Sequence, residues 1–323
     1  MTSDHASRLL GPGPDRRPDD RGDAQPVRHV PRARDRARRR RPRHCARHDL
    51  RDRRPAQDRR VPRPVRPALL RGRHRQRRLD RLSPGHRPQQ LRRFPRIDAV
   101  KNVAPSTPGD LLLHVRAERS DLCFEFVRIV MAAFGDSVTV VDETSAFRYF
   151  DARDLLGFVD GTANPVGAEA TEAALIGDED PDFAGGSYVV VQKYLHDLAT
   201  WASYGADLQS EIVGRDKADN VERPDAETGQ KAHKTLATLE VGGVERAILR
   251  DNMPFGRAGS GEFGTYFIGY AGSVSVTLTM LRRMFLGDPL GMYDRILDVS
   301  TATTGTLFFA PAADLLASLS DAA

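Results

Sequence analysis

The sequence predicts an α+β architecture, antiparallel sheets backed by helices, in the part of the chain that follows residue 96. Three observations predict it. Apolar runs of strand length interleave with stretches whose apolar residues recur at helical spacing. The connections are short and hold no regular crossover helices, which a parallel sheet would need. The front of the chain shows neither pattern.

In chain order, residues 110–115 (Asp110-Leu111-Leu112-Leu113-His114-Val115) read as a buried strand. A helix follows over 120–134, with Leu122, Phe126, Ile129, Val130 and Ala133 on one stripe and Gly135 as its stop. Residues 137–141 read as another strand. Residues 150–168 are rich in Gly, Asp, Asn and Pro and read as loop. A second set opens with a strand over 187–192, a short helix starting near His196 and another over 206–213. A polar loop fills 215–232. Strands at 247–250 and 265–268, helices at 274–285 and 289–297, and a strand at 307–309 complete the pattern. No internal repeat of fixed period is present.

The net charge of +5 conceals two unlike parts. Residues 1–96 hold 31 Arg without Lys and 10 Asp without Glu, a balance of +21. The other 227 residues carry 18 basic against 34 acidic side chains, a balance of −16. The front part also has 13 Pro and a single aromatic, Phe94, too little apolar surface to offset the entropy of ordering it. Arg without Lys and Asp without Glu is what a GC-rich message yields when read out of frame; a disordered Arg-rich arm is the other reading. The expected division is therefore 1–96 as an Arg/Pro-rich segment without a core, then 97–165, then 166–315. The stretch from Leu79 to Pro95 is where the coherent pattern begins to return.

No continuous apolar segment serves as a secretory signal or membrane span, so a cytoplasmic protein is expected. The two cysteines, Cys45 and Cys123, make neither a disulfide framework nor a metal cluster. Cys123, in an apolar helix, reads as a small buried hydrophobe.

Three segments carry chemistry. In Gly157-Phe158-Val159-Asp160-Gly161-Thr162-Ala163-Asn164-Pro165, glycines around an Asp let the backbone turn sharply and present the carboxylate on a loop. Of three histidines in the coherent region, His114 reads as a core side chain, His196 as a helix-start residue, and His233 stands before an apolar run. Leu249-Arg250-Asp251-Asn252-Met253-Pro254-Phe255-Gly256 ends a strand. Taken singly, each has a bland reading as surface turn, structural histidine or ion-paired arginine. Their joint occurrence in this order is what carries weight.

The run from Gly157 to Pro165 resembles the GxxDG signature of the dye-decolourising peroxidases. The resemblance extends through Val103 to Leu111, Arg250 to Phe255, Gly264 to Tyr270, Tyr293 to Asp298, and Thr304 to Phe309, about two thirds of the chain. It is nearest to the bacterial branch that includes encapsulin cargo peroxidases. The resemblance implies two ferredoxin-like halves of the dimeric α+β barrel type, the first incomplete here because residues 1–96 do not match. It implies haem b, one iron, held between a sheet and helices of the second half. By the same resemblance His233 is the iron ligand, Asp294 the partner of its other ring nitrogen, and Arg215 a contact of a haem propionate. Asp160, Arg250 and Asn252 then face hydrogen peroxide, and an aromatic electron donor is the second substrate. Trp201, Tyr266 and Tyr293 are aromatic residues placed to relay electrons, each otherwise a core or rim residue.

The C-terminal residues lack the Gly/Leu-rich tail of encapsulin cargo, so encapsulation is not expected, and self-association stays open. A haem carrier or an iron-releasing porphyrin protein is the alternative within the superfamily; the secreted relatives credited with iron release bear an export signal. A nucleic-acid-binding protein using the Arg-rich arm is the alternative from another class. It needs base-stacking aromatics beside the basic run, which residues 1–93 lack. No specific nucleic acid and no membrane partner is expected.

Overall fold

A computed structural model describes residues 67–70, 87–225 and 229–321, with side chains described from residue 87 to 318. Twelve strands form among these residues: β1 (Pro67–Leu70), β2 (Ile97–Asp98), β3 (Val103–Ala104), β4 (Leu111–Leu113), β5 (Ser187–His196), β6 (Leu239–Val241), β7 (Val244–Arg246), β8 (Leu249–Arg250), β9 (Met253–Arg257), β10 (Glu262–Ala271), β11 (Ser300–Ala302) and β12 (Thr306–Ala310). Eight of them make one sheet in the order β4-β1-β12-β5-β10-β8, with β11 also on β5 and β9 also on β10. Every pairing in it is antiparallel, so the α+β expectation holds.

β5 and β10 form the spine because both are rich in β-branched and aromatic residues and run ten residues each. Alternation along β5 splits the core in two. Tyr188, Val190 and Tyr194 point to one face, where they meet Leu307 and Phe309 of β12 and Leu278, Leu281 and Phe285 of the helix Val274–Leu286. Val189 and Val191 point to the other face, with Ile268 and Phe308. His196 ends β5 as a strand residue, not a helix start. Its ring lies between Ser300 Oγ (2.9 Å) and Thr265 Oγ1 (2.9 Å), and burial pushes its pKa down to about 4, so it is a neutral link between three strands.

The structure departs from the sequence expectations in four further places. Residues 137–141 form no strand: Gly135 turns at φ +51° into a 3₁₀ turn, and Val140 and Val141 stay exposed, with no partner strand among the described residues. Residues 289–297 do not make a helix, because Gly291 sits at φ +92° and only Arg295–Asp298 closes a 3₁₀ turn. Cys123 is half-buried. Packing also begins before residue 97. Leu91 is 0% and Phe94 2% exposed, both against the Val274–Leu286 helix and β12, while Gln90 Oε1 accepts the Val274 amide at 2.9 Å. The polar composition of the front segment hid these two side chains. The rest of the expectation for residues 1–86 lies outside the described residues, β1 apart.

The helix Ser120–Phe134 has the expected bounds but buries none of its residues; Leu122, Phe124, Phe126 and Ile129 are exposed.

If residues 87–96 belong to the folded unit, Phe94→Ala should lower unfolding free energy by about 3–5 kcal/mol, the cost of emptying a buried Phe site. Urea unfolding checks this, and a variant as stable as the parent would place Phe94 outside the core.

Candidate active site

The site is built from three segments that the sheet and its helices bring together. The first is the loop from Arg153 to Pro165. Asp154 closes it: its backbone amide donates to Phe158 O (2.8 Å), and its Oδ1 accepts the Phe158 amide (2.9 Å). Gly157 sits at φ +92°, a conformation that favours glycine, and a Cβ there would lie 2.6 Å from Lys217 Cε and push that side chain aside. Arg153 Nη1 donates to Gly157 O and to Lys217 O, each at 2.8 Å, tying the loop to the 215–218 segment. Trp201 lies beneath, donating from Nε1 to Leu156 O (2.8 Å) and packing on Phe158. Asp160 is thus held half-buried at the end of the loop, its amide on Ala152 O and its Oδ1 accepting the Gly161 amide at 2.7 Å.

The second segment is β8 and the turn after it. Asn164 at the loop's far end clamps onto Arg250: its Nδ2 donates to Arg250 O (2.7 Å) and its Oδ1 accepts the Arg250 amide (2.9 Å). This pair of bonds fixes the Asp160 loop against the strand that carries Arg250 and Asn252. Burial pushes the Arg250 guanidinium down from the usual arginine range, while the charges of Asp160 and Glu245 oppose that shift. Arg250 Nε and Asn252 Oδ1 are buried without a hydrogen-bond partner.

The third segment holds His233, first residue of the short helix His233–Leu236. Its Nδ1 lies 2.6 Å from Oδ2 of Asp294, a carboxylate with 0% exposure. Asp294 Oδ1 accepts the Ile296 amide (3.0 Å), and the Asp294 amide donates to Met284 O (2.8 Å), which anchors it to the Val274–Leu286 helix. Burial alone would push the His233 imidazole down. The Asp294 charge and hydrogen bond outweigh that and leave it raised, with Arg250 acting against them. Arg250 and Asp154 both act electrostatically on His233, so the three segments converge. Nδ1 is committed to the carboxylate, which leaves Nε2 as the nitrogen available to a metal.

The residues fit a haem. Among the described residues no three His, Cys, Asp or Glu side chains gather to cage a bare ion. A single carboxylate-backed histidine suits an iron whose other ligands come from a porphyrin. The orphaned polar atoms of Arg250 and Asn252 are what a pocket for a ligand that they contact would hold.

Residues 76–148 match the family model described as Dyp-type peroxidase, N-terminal, and residues 151–315 match Dyp-type peroxidase, C-terminal. The chain belongs to the Dyp-type peroxidase family. Over 238 residues it is 53% identical to the dye-decolorizing peroxidase of Mycobacterium tuberculosis, covering 73% of this chain and 71% of that one. The corresponding protein of Rhodococcus erythropolis is 52% identical over the same length, with 73% and 70% covered. Among solved structures, DyPB from Rhodococcus jostii RHA1 superposes with a TM-score of 0.74 at 53% identity, over 78% of this chain and 80% of that one. The encapsulated Dyp-type peroxidase from Mycobacterium smegmatis gives 0.74 at 51%, over the same shares. Structures of Rhodococcus jostii DypB variants are described as in complex with heme. This peroxidase is accordingly a haem-dependent enzyme that consumes hydrogen peroxide and an electron donor, with the ferredoxin-like α+β fold of its family. Among the described residues no helix is long and apolar enough to cross a membrane.

Sequence reading missed Asn164 as a clamp and Asp154 and Arg153 as loop supports. Asn164 lay in the recognised motif, but the target of its amide, a backbone 86 residues away, is visible only in three dimensions. Arg215 is engaged elsewhere, donating to Glu222 Oε2 (3.0 Å) and Asn220 O (3.2 Å).

Burial pushes the Asp154 carboxyl up to about 6 from 3.8, with Asp160 adding to the rise. A folded-state pKa above the unfolded one means that the native state holds the proton more tightly. Stability drawn from this group is full below about pH 4 and is lost as pH rises through about 6. Asp154→Asn keeps the oxygen that accepts the Phe158 amide but cannot ionise. It should gain stability over the parent at pH 7 relative to pH 4, measured by thermal unfolding of the haem-free protein; an unchanged difference between the two pH values would contradict the shift.

Proposed function

We propose that this peroxidase binds haem b through His233 and reduces hydrogen peroxide with Asp160, Arg250 and Asn252, using bulky aromatic donors as reductants. The observation that carries the assignment is the 2.6 Å pairing of half-buried His233 with the fully buried Asp294 carboxylate, together with the loop that Asn164 clamps to Arg250. Bound iron supplies the redox centre at which peroxide is reduced.

Each residue has a chemical role. Asp294 fixes the His233 tautomer and makes Nε2 a stronger electron donor. Cleaving a peroxide O–O bond requires a proton to leave one oxygen and reach the other; Asp160, held by the Gly161 amide, takes and returns it. Arg250, half-buried, supplies a fixed positive charge where the leaving hydroxide develops. Asn252 directs its unpaired Oδ1 toward the oxygen that carries the proton. Arg215 holds a haem propionate with the donors that Glu222 leaves free.

A cytoplasmic location and self-association complete the proposal. Cys123 is a free thiol, as in chains kept in reducing compartments. The likeness to an encapsulated relative supports an assembly.

Replacing His233 by Ala should abolish haem retention, and an unchanged Soret band with full stoichiometry would remove His233 as ligand. Arg250→Leu should slow the reaction with peroxide more than Asp160→Ala, because water can substitute for a proton shuttle but not for a fixed charge worth roughly 3–4 kcal/mol. Stopped-flow traces with peroxide decide the ranking; the opposite order would refute these roles.

A further inference from the structure

We infer that Asp251 is a positioning residue for the peroxide side, held from the far face of the sheet by His114 and Arg116 so that Arg250 and Asn252, on either side of it, keep their aim. β8 and β9 lie on β10 in one register, with Arg250 opposite Gly269 and Met253 opposite Tyr266. Between them the strand is interrupted at Asp251 and Asn252. The Asp251 amide still donates to Ile268 O at 3.0 Å, so the chain stays on β10 through the break. The matching register on both sides preserves alternation, which sends Arg250 and Asn252 to one face and Asp251 to the other.

The far face is that of Val189, Val191 and Ile268, with Leu112 of β4 packed on it. The segment after β4 brings two side chains to the Asp251 carboxylate. Arg116 Nη1 lies 2.9 Å and His114 Nε2 3.5 Å from Asp251 Oδ2. The other ring nitrogen of His114, Nδ1, shares a hydrogen bond of 2.7 Å with Tyr270 Oη on β10. Burial pushes the His114 pKa down, against the Asp251 charge and with the help of Arg116, so the ring is neutral at pH 7. Its one proton belongs on Nε2, toward the carboxylate, and the Tyr270 hydroxyl donates to Nδ1. Asp251 Oδ2 is buried and receives no well-aligned hydrogen bond from these groups, so charge holds it. Swinging it away from Arg116 would strand a buried anion.

The need for such an anchor is local. Neither Arg250 Nε nor Asn252 Oδ1 has a hydrogen-bond partner, so their aim comes from the backbone that carries them. Asn164 clamps that backbone at Arg250. Asn252 lies past the clamp and inside the interruption, where the tethered side chain of Asp251 limits rotation of the chain.

The inference rests on the proposed roles of Arg250 and Asn252, and a double-variant cycle separates the two. Fluoride is the probe, because it accepts hydrogen bonds from groups on the peroxide side of ferric haem and its binding is read from the spectrum without turnover. In holoenzyme, Asp251→Asn should weaken fluoride binding and slow the stopped-flow reaction with peroxide by about tenfold each. In an Arg250→Leu background the same change should have little further effect. Arg116→Ala should move both readouts the same way and Arg116→Lys should restore them. The Arg116 side chain is 68% exposed, so this pair keeps the test open if Asp251→Asn loses haem. His114→Gln, which keeps a donor toward Asp251, should stay nearer the parent than His114→Phe. A structural role alone would lower the unfolding temperature and leave fluoride affinity per haem unchanged, which would overturn the inference. So would an Asp251→Asn loss that adds in full to that of Arg250→Leu. An Arg250→Leu variant with the parent's fluoride affinity and peroxide rate would remove the role of Arg250, and this inference with it.

Discussion

A fully buried carboxylate is the constraint on which this site depends. Removing an ionised Asp from water costs several kcal/mol unless hydrogen bonds replace the lost hydration. Asp294 meets that demand with the His233 ring, the Ile296 amide and an anchor of its own amide on Met284. Each bond orders something different: the imidazole, the 3₁₀ turn Arg295–Asp298, and the attachment of that turn to the Val274–Leu286 helix. The helix is held by the larger hydrophobic cluster, so the tautomer of one histidine is underwritten by the core of the domain.

The opposite wall is held by different means. The Asp160 loop has little apolar content to pin it beyond Leu156 and Phe158, and backbone hydrogen bonds take over. Arg153 gathers the carbonyls of Gly157, Lys217 and Ala218, Asp154 caps Phe158, and Asn164 reads both the amide and the carbonyl of Arg250. A two-point amide clamp permits neither sliding nor rotation, which is what the roles proposed for Asp160 and Arg250 need in order to act on the same small molecule. Rigid walls with unsatisfied buried atoms between them, on Arg250 and Asn252, mark a site prepared for a ligand.

Much of this was legible in the residues. Asp160, His233 and Arg250 each have a bland reading singly and stood out because they occur together in an order that matches a family. The helix Ser120–Phe134 and the long strands were visible because their apolar periodicity is strong. Short elements were not. Residues 137–141 have strand-like composition but no partner to pair with among the described residues, and 289–297 have a helical pattern that Gly291 interrupts. Leu91 and Phe94 were obscured by the arginines around them, since an average over a window cannot reveal two side chains that dock far away.

The sequence by itself determined the α+β class and, through the family whose motifs it carries, the haem chemistry, because those follow from local periodicity and from residue types in a fixed order. Tertiary structure alone decided which groups touch: that His233 is backed by Asp294 across 61 residues and that Asn164 grips Arg250 across 86. The reason is physical. Periodicity records which face of an element is buried, whereas a hydrogen bond records a distance between two elements, and that distance exists only after the chain has closed on itself.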